Sequence, residues 1–501
     1  MNKEQVSSQP LDGTAAEYVD VVIVGAGISG IDAAYYLQKE CPEKSYLILD
    51  NQEKIGGTWS THTYPGIRSD SDLYTFGYKW KPWEGLPIAQ ASEILSYLND
   101  AVDENNIRPQ IHFNSTVMTA DWDSSLNRWT LHVRDTAAGT EKLYQCNFLW
   151  MCQGYYRHSE GYMPDYPGRE KFRGPIIHPQ NWPNDLDYKD KKVVVIGSGA
   201  TAATLIPAMA DDTAHITMLQ RSPTYFSAAP NRNNVTEMLR SLDVPEEWVH
   251  EITRRKILQD QQILVKRSFE EPEKLKEELL KGARHYLGED VPLDPHFTPT
   301  YRPWRQRLAF VPDGDLFNAI RDGKASVVTD QIEEFTEKGI LLKSGELLEA
   351  DIIISATGFN MNVLGDIAFN IDGEALNFAK CWAHRGIMFS GIPNMAWVFG
   401  YLRTSWTMRA DLVAEFVCRL LKYMDEKGVQ SVTPELRDED KDMPEKPFVD
   451  PHNFNSGYLN RSMHLMPKQG DKNPWLFTQD YYFEKEDVPN ADLEDGTLKY
   501  A

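Results

Sequence analysis

Two glycine clusters bring nucleotide chemistry to this chain. The first, Gly25-x-Gly27-x-x-Gly30, follows the short β-branched run Val19–Val24 and precedes Ile31–Leu37, whose apolar spacing is helical. Gly25 permits a tight turn from strand to helix. Gly27 lets a pyrophosphate approach bare backbone, and Gly30 lets helix and strand pack closely. The helix N-terminus then offers free N–H groups to the anion. Asp50 closes the next strand, 20 residues after Gly30, where a carboxylate meets a ribose hydroxyl. The second cluster, Gly197-x-Gly199-x-x-Ala202, lies between the strand-like Lys192–Ile196 and the helical Ala203–Ala210. The strand after it ends in Gln220-Arg221-Ser222, and an arginine there suits the 2′-phosphate of NADP. Two such turns in one chain describe an electron relay, with FAD in the first and NADPH visiting the second. Disulfide reductases share that plan but need a redox cysteine pair soon after the first βαβ unit. No cysteine lies between Cys41 and Cys146, so the electrons go elsewhere, and oxygen is the expected acceptor.

These residues require an α/β fold: two Rossmann-like dinucleotide-binding domains, for FAD and NADPH, with a helical insertion in the second. The first part of the FAD domain is expected over 17–157. It takes in an alternating strand around Arg128–Val133 and a buried-looking strand at Phe148–Cys152. Residues 158–190, rich in Pro, Gly and Tyr, read as a linker. The NADP domain is expected over 191–357, with strands at Ala325–Val328 and Asp351–Ser355. Its helical insertion runs over about 230–295, and Glu270–Leu280 is the clearest helix there. Residues 358–501 are expected to complete the FAD domain with an amphipathic helix, Ala410–Tyr423, and an acidic C-terminal tail. Residues 1–16 are polar and read as frayed.

Composition narrows the alternatives. The chain has 501 residues, with 41% hydrophobic and 25% charged, which excludes whole-chain disorder. At roughly 100–200 residues per domain, two to four domains are expected. Lys and Arg total 52 against 74 Asp and Glu, a formal charge of −22, so a nucleic-acid partner is not expected. The five cysteines form no CxxC pair, which argues against a disulfide framework and a zinc ribbon; no metal centre is expected. With no apolar leader and no run of about 20 apolar residues, the expected setting is a reducing cytoplasm. Loose membrane association stays compatible with that.

Two longer motifs carry a resemblance. GGTWSTHTYPGIRSD (56–70) matches the [A/G]GxWxxxx[F/Y]P[G/M]xxxD signature of type I Baeyer–Villiger monooxygenases. FRGPIIHPQNWP (172–183) matches their FxGxxxHxxxWP fingerprint at every fixed position. The related flavin-containing monooxygenases lack the closing Trp-Pro. The chain resembles this family from about residue 18 to about residue 475. It is most similar to the shorter, ethionamide-activating type, through YPGIRSDSDLYTFGYKWKPW (64–83) and VVVIGSGATAATLIPAMA (193–210).

The resemblance implies an enzyme that uses NADPH and O2 and works through a C4a-peroxyflavin. It would insert oxygen beside a ketone carbonyl and also oxidise sulfides, with a small apolar ketone or sulfide as substrate. A permanent cation must hold negative charge in a dry site. The family position for that cation falls on Arg307, with Arg302 and Arg305 close by. The family's carboxylate partner falls on Asp70, with Asp72 as the competing candidate. FAD would be held by Gly25, Gly27, Ser29, Gly30, Asp50, Gly57, Thr58, Trp59 and Asp70, with Val117 as an adenine-side backbone contact. NADP would meet Arg68, Ser69, the turn Gly197, Ser198, Gly199, Ala200, Thr201 and Ala202, and then Arg221 and Ser222. Larger family members often place a lysine before the catalytic arginine, and Gln306 stands here instead. His178 would be a hinge residue. Trp406 would either line the substrate pocket or pack. The rival readings are a heteroatom or long-chain alkyl flavin monooxygenase and a non-catalytic flavoprotein.

Overall fold

The computed structural model describes residues 16–452 and 454–501, so the polar stretch 1–16 lies outside the described residues except for Ala16. Val21, Val22 and Ile23 are wholly buried because their strand, Glu17–Val24, has a parallel neighbour on each edge, Tyr46–Leu49 and Thr140–Met151. A parallel strand covered on both faces is apolar without alternation. Val21 and Ile23 face a helical layer with Ile31, Ile94 and Val413; Val22 faces an aromatic layer with Trp122 and Trp129.

The first sheet has nine strands. One path runs Glu374–Ala375, Ala368–Ile371, Ser115–Asp123, Arg128–Asp135, Thr140–Met151, Glu17–Val24, Tyr46–Leu49 and Ile111–His112, and Met395–Trp397 lies parallel to Leu149–Met151. The second sheet has five parallel strands in the order Ala325–Thr329, His215–Gln220, Lys192–Ile196, Ile352–Ser355 and Ile176–Ile177. Helices Ala200–Met209 and Asp315–Arg321 cover one face of it, and a small antiparallel sheet covers the other. The chain passes between the two sheets after Met151 and again after Ser355. The two passages pair antiparallel through Tyr156–Gly161 and Phe359–Met361.

Three helices fill the segment after the second glycine turn: Asn234–Ser241, Glu246–Glu270 and Pro272–Leu287. The single helix expected over Glu270–Leu280 is broken at Glu271, which leaves helical geometry at φ −134 and ψ 50. Pro272 causes the break. Proline disfavours helix at the residue before it, and its fixed φ with no N–H suits the first position of a new helix.

The helix expected over Ala410–Tyr423 runs from Thr407 to Lys427, and every residue from Thr407 to Ala414 is buried. Its first two turns are therefore enclosed rather than amphipathic. The acidic C-terminal stretch is folded, not a tail. Trp475 is fully buried and donates to Asp440 at 3.0 Å, and Leu498–Tyr500 pairs with Val432–Pro434. Its buried apolar residues stand singly among charges, so no periodic signal marks them. All five cysteines are buried thiols outside disulfides. Among the described residues no helix is long and apolar enough to cross a membrane.

Arg254 fastens the insertion to the first sheet's helices. Its guanidinium donates to the carbonyls of Tyr74 at 3.0 Å, Thr75 at 3.2 Å and Gly77 at 3.0 Å, and to Asp411 at 3.3 Å. Both charged side chains are buried. Replacing Arg254 with Met leaves Asp411 uncompensated, and breaking a buried pair in this way costs about 3 kcal/mol or more. Arg254→Met should therefore lower the urea midpoint and the Tm clearly, whereas Arg255→Met, on the exposed face, should leave both near wild type.

Candidate active site

The first glycine turn has the shape its residues predict. Gly25 sits at φ +107, and a Cβ on Gly30 would lie 1.8 Å from the Gly25 carbonyl oxygen. Gly27 begins helix Ile28–Glu40 without a side-chain cap, which leaves first-turn amides for an anion. Gly57 approaches from the opposite side, and a Cβ on it would lie 3.3 Å from Gly27 Cα. Two bare backbones thus face each other. Beside them the Gln153 amide is buried with neither its nitrogen nor its oxygen partnered. A cradle free of side chains and an orphaned amide fit a bound dinucleotide.

Asp50 anchors this turn, accepting from Ala26 N–H at 2.5 Å and Gln52 N–H at 2.7 Å. Burial pushes its carboxyl up, opposed by those two backbone bonds. Ser29 Oγ accepts from Trp406 Nε1 at 2.7 Å, and the Trp406 ring fills the space a side chain on Gly400 would need. Trp406 therefore packs against the turn. Thr58 and Trp59 open the short helix Thr58–Thr61, and Trp59 meets Phe76 edge to face. Val117 is buried in strand Ser115–Asp123, beside a bulge.

Arg307 and Asp70 come together although they lie 237 residues apart. Arg307 Nε donates to Asp70 Oδ2, and Nη2 donates to Asp70 Oδ1 at 2.7 Å, a bidentate fork. Nη2 also reaches Ser71 Oγ at 3.3 Å, and Nη1 reaches the Leu402 carbonyl at 3.4 Å. The side chains keep 38% and 28% of their surface accessible, so the pair lines a space rather than filling one. Burial pushes the Asp70 carboxyl up, but the charge and hydrogen bonds of Arg307 outweigh it and hold it below the usual carboxylate range. Burial disfavours the Arg307 charge, and Asp70 more than offsets that.

The neighbouring candidates go elsewhere. Asp72 caps helix Leu73–Phe76 by accepting from Tyr74 N–H at 2.9 Å. Arg302 stacks over Phe269 at 3.7 Å, and Arg305 and Gln306 are exposed. Trp304 sits at φ +64, unusual for a bulky residue, so the surroundings hold this loop in place. One such hold is the Asn455 N–H donating to Arg305 O at 2.9 Å.

At the second turn Gly197 lies at φ +125, and a Cβ there would lie 2.3 Å from Ala356 O. Gly199 faces open space and starts helix Ala200–Met209 without a side-chain cap. Ser198 Oγ lies 2.9 Å from Thr224 Oγ1, Thr201 faces Tyr64, and Ala202 is buried. Arg221 and Ser222 are exposed at the end of the next strand. Arg68 and Ser69 are occupied otherwise. Arg68 forks onto Asp315 at 2.5 and 3.2 Å, and Ser69 is buried against Ala89.

Several site residues escaped the motif reading. Tyr155, Tyr156 and Tyr458 cluster beside Arg307, with hydroxyls 3.2 and 3.5 Å from that of Tyr155. Their spacing in sequence carries no signal, although Tyr155 and Tyr156 directly follow Gly154, three residues after strand Thr140–Met151 ends. Three histidines gather around Phe359: His62 stacks on it at 5.5 Å, with His158 and His178 adjacent. His178 Nε2 lies 2.9 Å from Gly358 O, and its Nδ1 accepts from Gln180 N–H, so it holds one interdomain passage against the other. Burial, with His158 and His178 adding, pushes His62 down from 6.5 to about 4. The unfolded chain therefore binds more protons across that window, and stability is full above about pH 6.5 and falls as pH drops. His62→Gln should shrink the Tm difference between pH 7 and pH 5; an unchanged difference would mean that His62 does not titrate with folding.

The profile of NAD(P)-binding Rossmann-like domains matches residues 23–80, and that of flavin-binding monooxygenase-like proteins matches residues 82–237. The FAD-containing monooxygenase EthA of Mycobacterium tuberculosis is 47% identical over 487 residues, covering 97% of this chain and 98% of its own. EthA of Mycolicibacterium smegmatis is 46% identical over 488 residues, covering 97% of each. A solved steroid monooxygenase bound to NADP superposes with a TM-score of 0.68 at 21% identity, over 84% of this chain and 88% of that one, a likeness of fold. The chain belongs to the family of flavin-binding, FAD-containing monooxygenases.

Proposed function

We propose that this chain is an NADPH- and O2-dependent monooxygenase that inserts one oxygen atom beside a ketone carbonyl, giving an ester or lactone, and that it also oxidises sulfides. In this reading ketone, O2, NADPH and one proton give ester, NADP+ and water. The observation that carries it is the bidentate Arg307–Asp70 pair facing an accessible space, with Tyr155 between Arg307 and the Trp406 that packs on Ser29 of the first glycine turn. FAD, when bound, supplies the two-electron transfer from NADPH to oxygen.

The chain's own residues do the rest. Arg307 offers a fixed positive charge where negative charge develops, and it stays protonated at any working pH. Asp70 orients the guanidinium through two parallel bonds and leaves Nη1 directed at the Leu402 carbonyl. The tyrosines beside Arg307 narrow the space and keep it dry: burial holds the Tyr155 and Tyr156 hydroxyls protonated.

Segments 17–157 and 358–501 hold FAD through Gly25, Gly27, Ser29, Gly30, Asp50, Gly57, Thr58, Trp59, Asp70 and Val117. Segment 191–357 holds NADPH through the 197–202 turn, with Arg221 and Ser222 on the 2′-phosphate, and 158–190 links the two while giving strand Ile176–Ile177 to the second sheet. Arg68 acts by placing the domains, since its guanidinium is spent on Asp315.

Product analysis tests the reading. Holoenzyme with NADPH and air should convert an alkyl ketone to an ester; sulfoxide from a phenyl sulfide with no ester from any ketone would replace it with heteroatom oxidation. Arg307→Ala should still consume NADPH at the flavin but lose ester formation by about a hundredfold, the size of effect seen when one stabilising donor is removed. Arg221→Ala should lower the NADPH-to-NADH ratio of kcat/KM by about tenfold, the equivalent of one charged contact.

A further inference from the structure

A cavity of about 410 Å³ opens beside the Arg307 loop. That is the size range of small-molecule sites. Leu402 lies in its wall, and the Leu402 carbonyl accepts from Arg307 Nη1 at 3.4 Å, so the cavity begins next to the catalytic cation. Val449, Phe454, Leu476 and Phe477 make most of the remaining wall apolar.

The polar groups of this cavity are largely spent on the protein. Gln469 donates to Pro447 O and Phe448 O and accepts from Phe477 N–H. Gln479 accepts from Leu402 N–H and donates to Gly400 O. Thr478 donates to Glu484, and Asp450 accepts from His452 N–H.

What remains, beside the Asp450 carboxylate, is cationic. Among the described residues Arg403 Nη1 is buried and unpartnered. Asp450 and Asp480 act on Arg403 from a distance, and neither forms an ion pair with it among the described residues. Arg302 shares the Phe269 ring with Arg403, at 3.7 and 5.7 Å from its centre, and donates only to Ser268 Oγ and the carbonyls of Pro303 and His452. Lys446, at the exposed rim, likewise has no ion pair among the described residues. The contrast with the other enclosed arginines is plain. Arg254, Arg307, Arg385 and Arg409 each face a carboxylate, and Arg419 donates to the Val488 and Ala491 carbonyls. A chain with 74 acidic and 52 basic residues has carboxylates to spare, yet Asp450, which lines the cavity, forms no ion pair with Arg403 among the described residues. A buried guanidinium N–H without an acceptor costs free energy that an anionic ligand group recovers.

We propose that the substrate is an aliphatic oxo acid, with its carboxylate on Arg403, its chain along Leu402 and Phe477, and its carbonyl toward Arg307. The carbonyl half rests on the function proposed above; the carboxylate half does not. A carboxylate suits Arg403 because its planar pair of oxygens matches the guanidinium fork.

The test is a titration of the FAD-loaded enzyme with octanoate and with methyl octanoate, followed by calorimetry and by the flavin absorbance. Neither ligand carries a ketone, so binding is read apart from turnover. Octanoate should bind about tenfold more tightly than its ester, as one charge-assisted hydrogen bond provides. Arg403→Gln should bring that ratio to within about twofold of unity, and Arg403→Lys should keep most of it. Equal binding of acid and ester by the wild type overturns the proposal, as does an Arg403→Gln variant that weakens both equally. The two readings fail separately. Ester from octanone without any carboxylate preference removes the anionic subsite alone. An Arg403-dependent preference with no ester from an oxo-octanoate removes the ketone chemistry alone.

Discussion

The fork between Arg307 and Asp70 is the interaction on which the rest of the structure depends. Asp70 comes from the loop that follows the first βαβ unit, and Arg307 from the loop after the helical insertion. Each loop is set by a different sheet. A guanidinium and a carboxylate brought out of bulk water need close geometry to offset desolvation. Here both nitrogens of the fork find both oxygens, and enough of each side chain stays accessible to act on a third group. The position of one sheet against the other is thereby tied to the geometry of this pair.

Several contacts hold that position. Gly66 lets its loop lie directly on helix Ala200–Met209, since a Cβ there would lie 2.5 Å from Ala208 Cβ and 3.0 Å from Thr204 O. Arg68, two residues on, reaches Asp315 and the Ala203 carbonyl in the second domain. Arg254 ties the insertion to the first sheet's helices, and His178 ties the two passages to each other at Gly358. The two long motifs therefore encode an interface as much as a binding site. Their glycines and their histidine stand where backbone or ring must come close.

The arginines divide by what faces them. Those that hold the fold meet a carboxylate or several carbonyls, and these contacts fix them. Arg307 meets a carboxylate but keeps open surface. Among the described residues Arg403 meets neither, beside a cavity with Val449, Phe454 and Phe477 in its wall. In a chain of formal charge −22 this distribution cannot come from a shortage of acids.

The sequence by itself determined the two glycine turns, their flanking strands and helices, and the loop that begins with Gly56-Gly57. These depend on backbone conformation and close approach, which are local properties of residue type. The break at Pro272 is local in the same sense, but helical periodicity on both sides of it concealed it. Tertiary structure decided the rest. It paired Arg307 with Asp70 while Arg302 stacks on Phe269, gave Asp72 a helix cap, and set Arg68 on Asp315. It also placed Trp406 on Ser29 and folded the acidic C-terminal stretch onto the core. The resemblance named Arg307 and Asp70 as partners, but spacing along the chain could not, because a charge is assigned to its partner by distance in space, and the two are neighbours only once both sheets are in place.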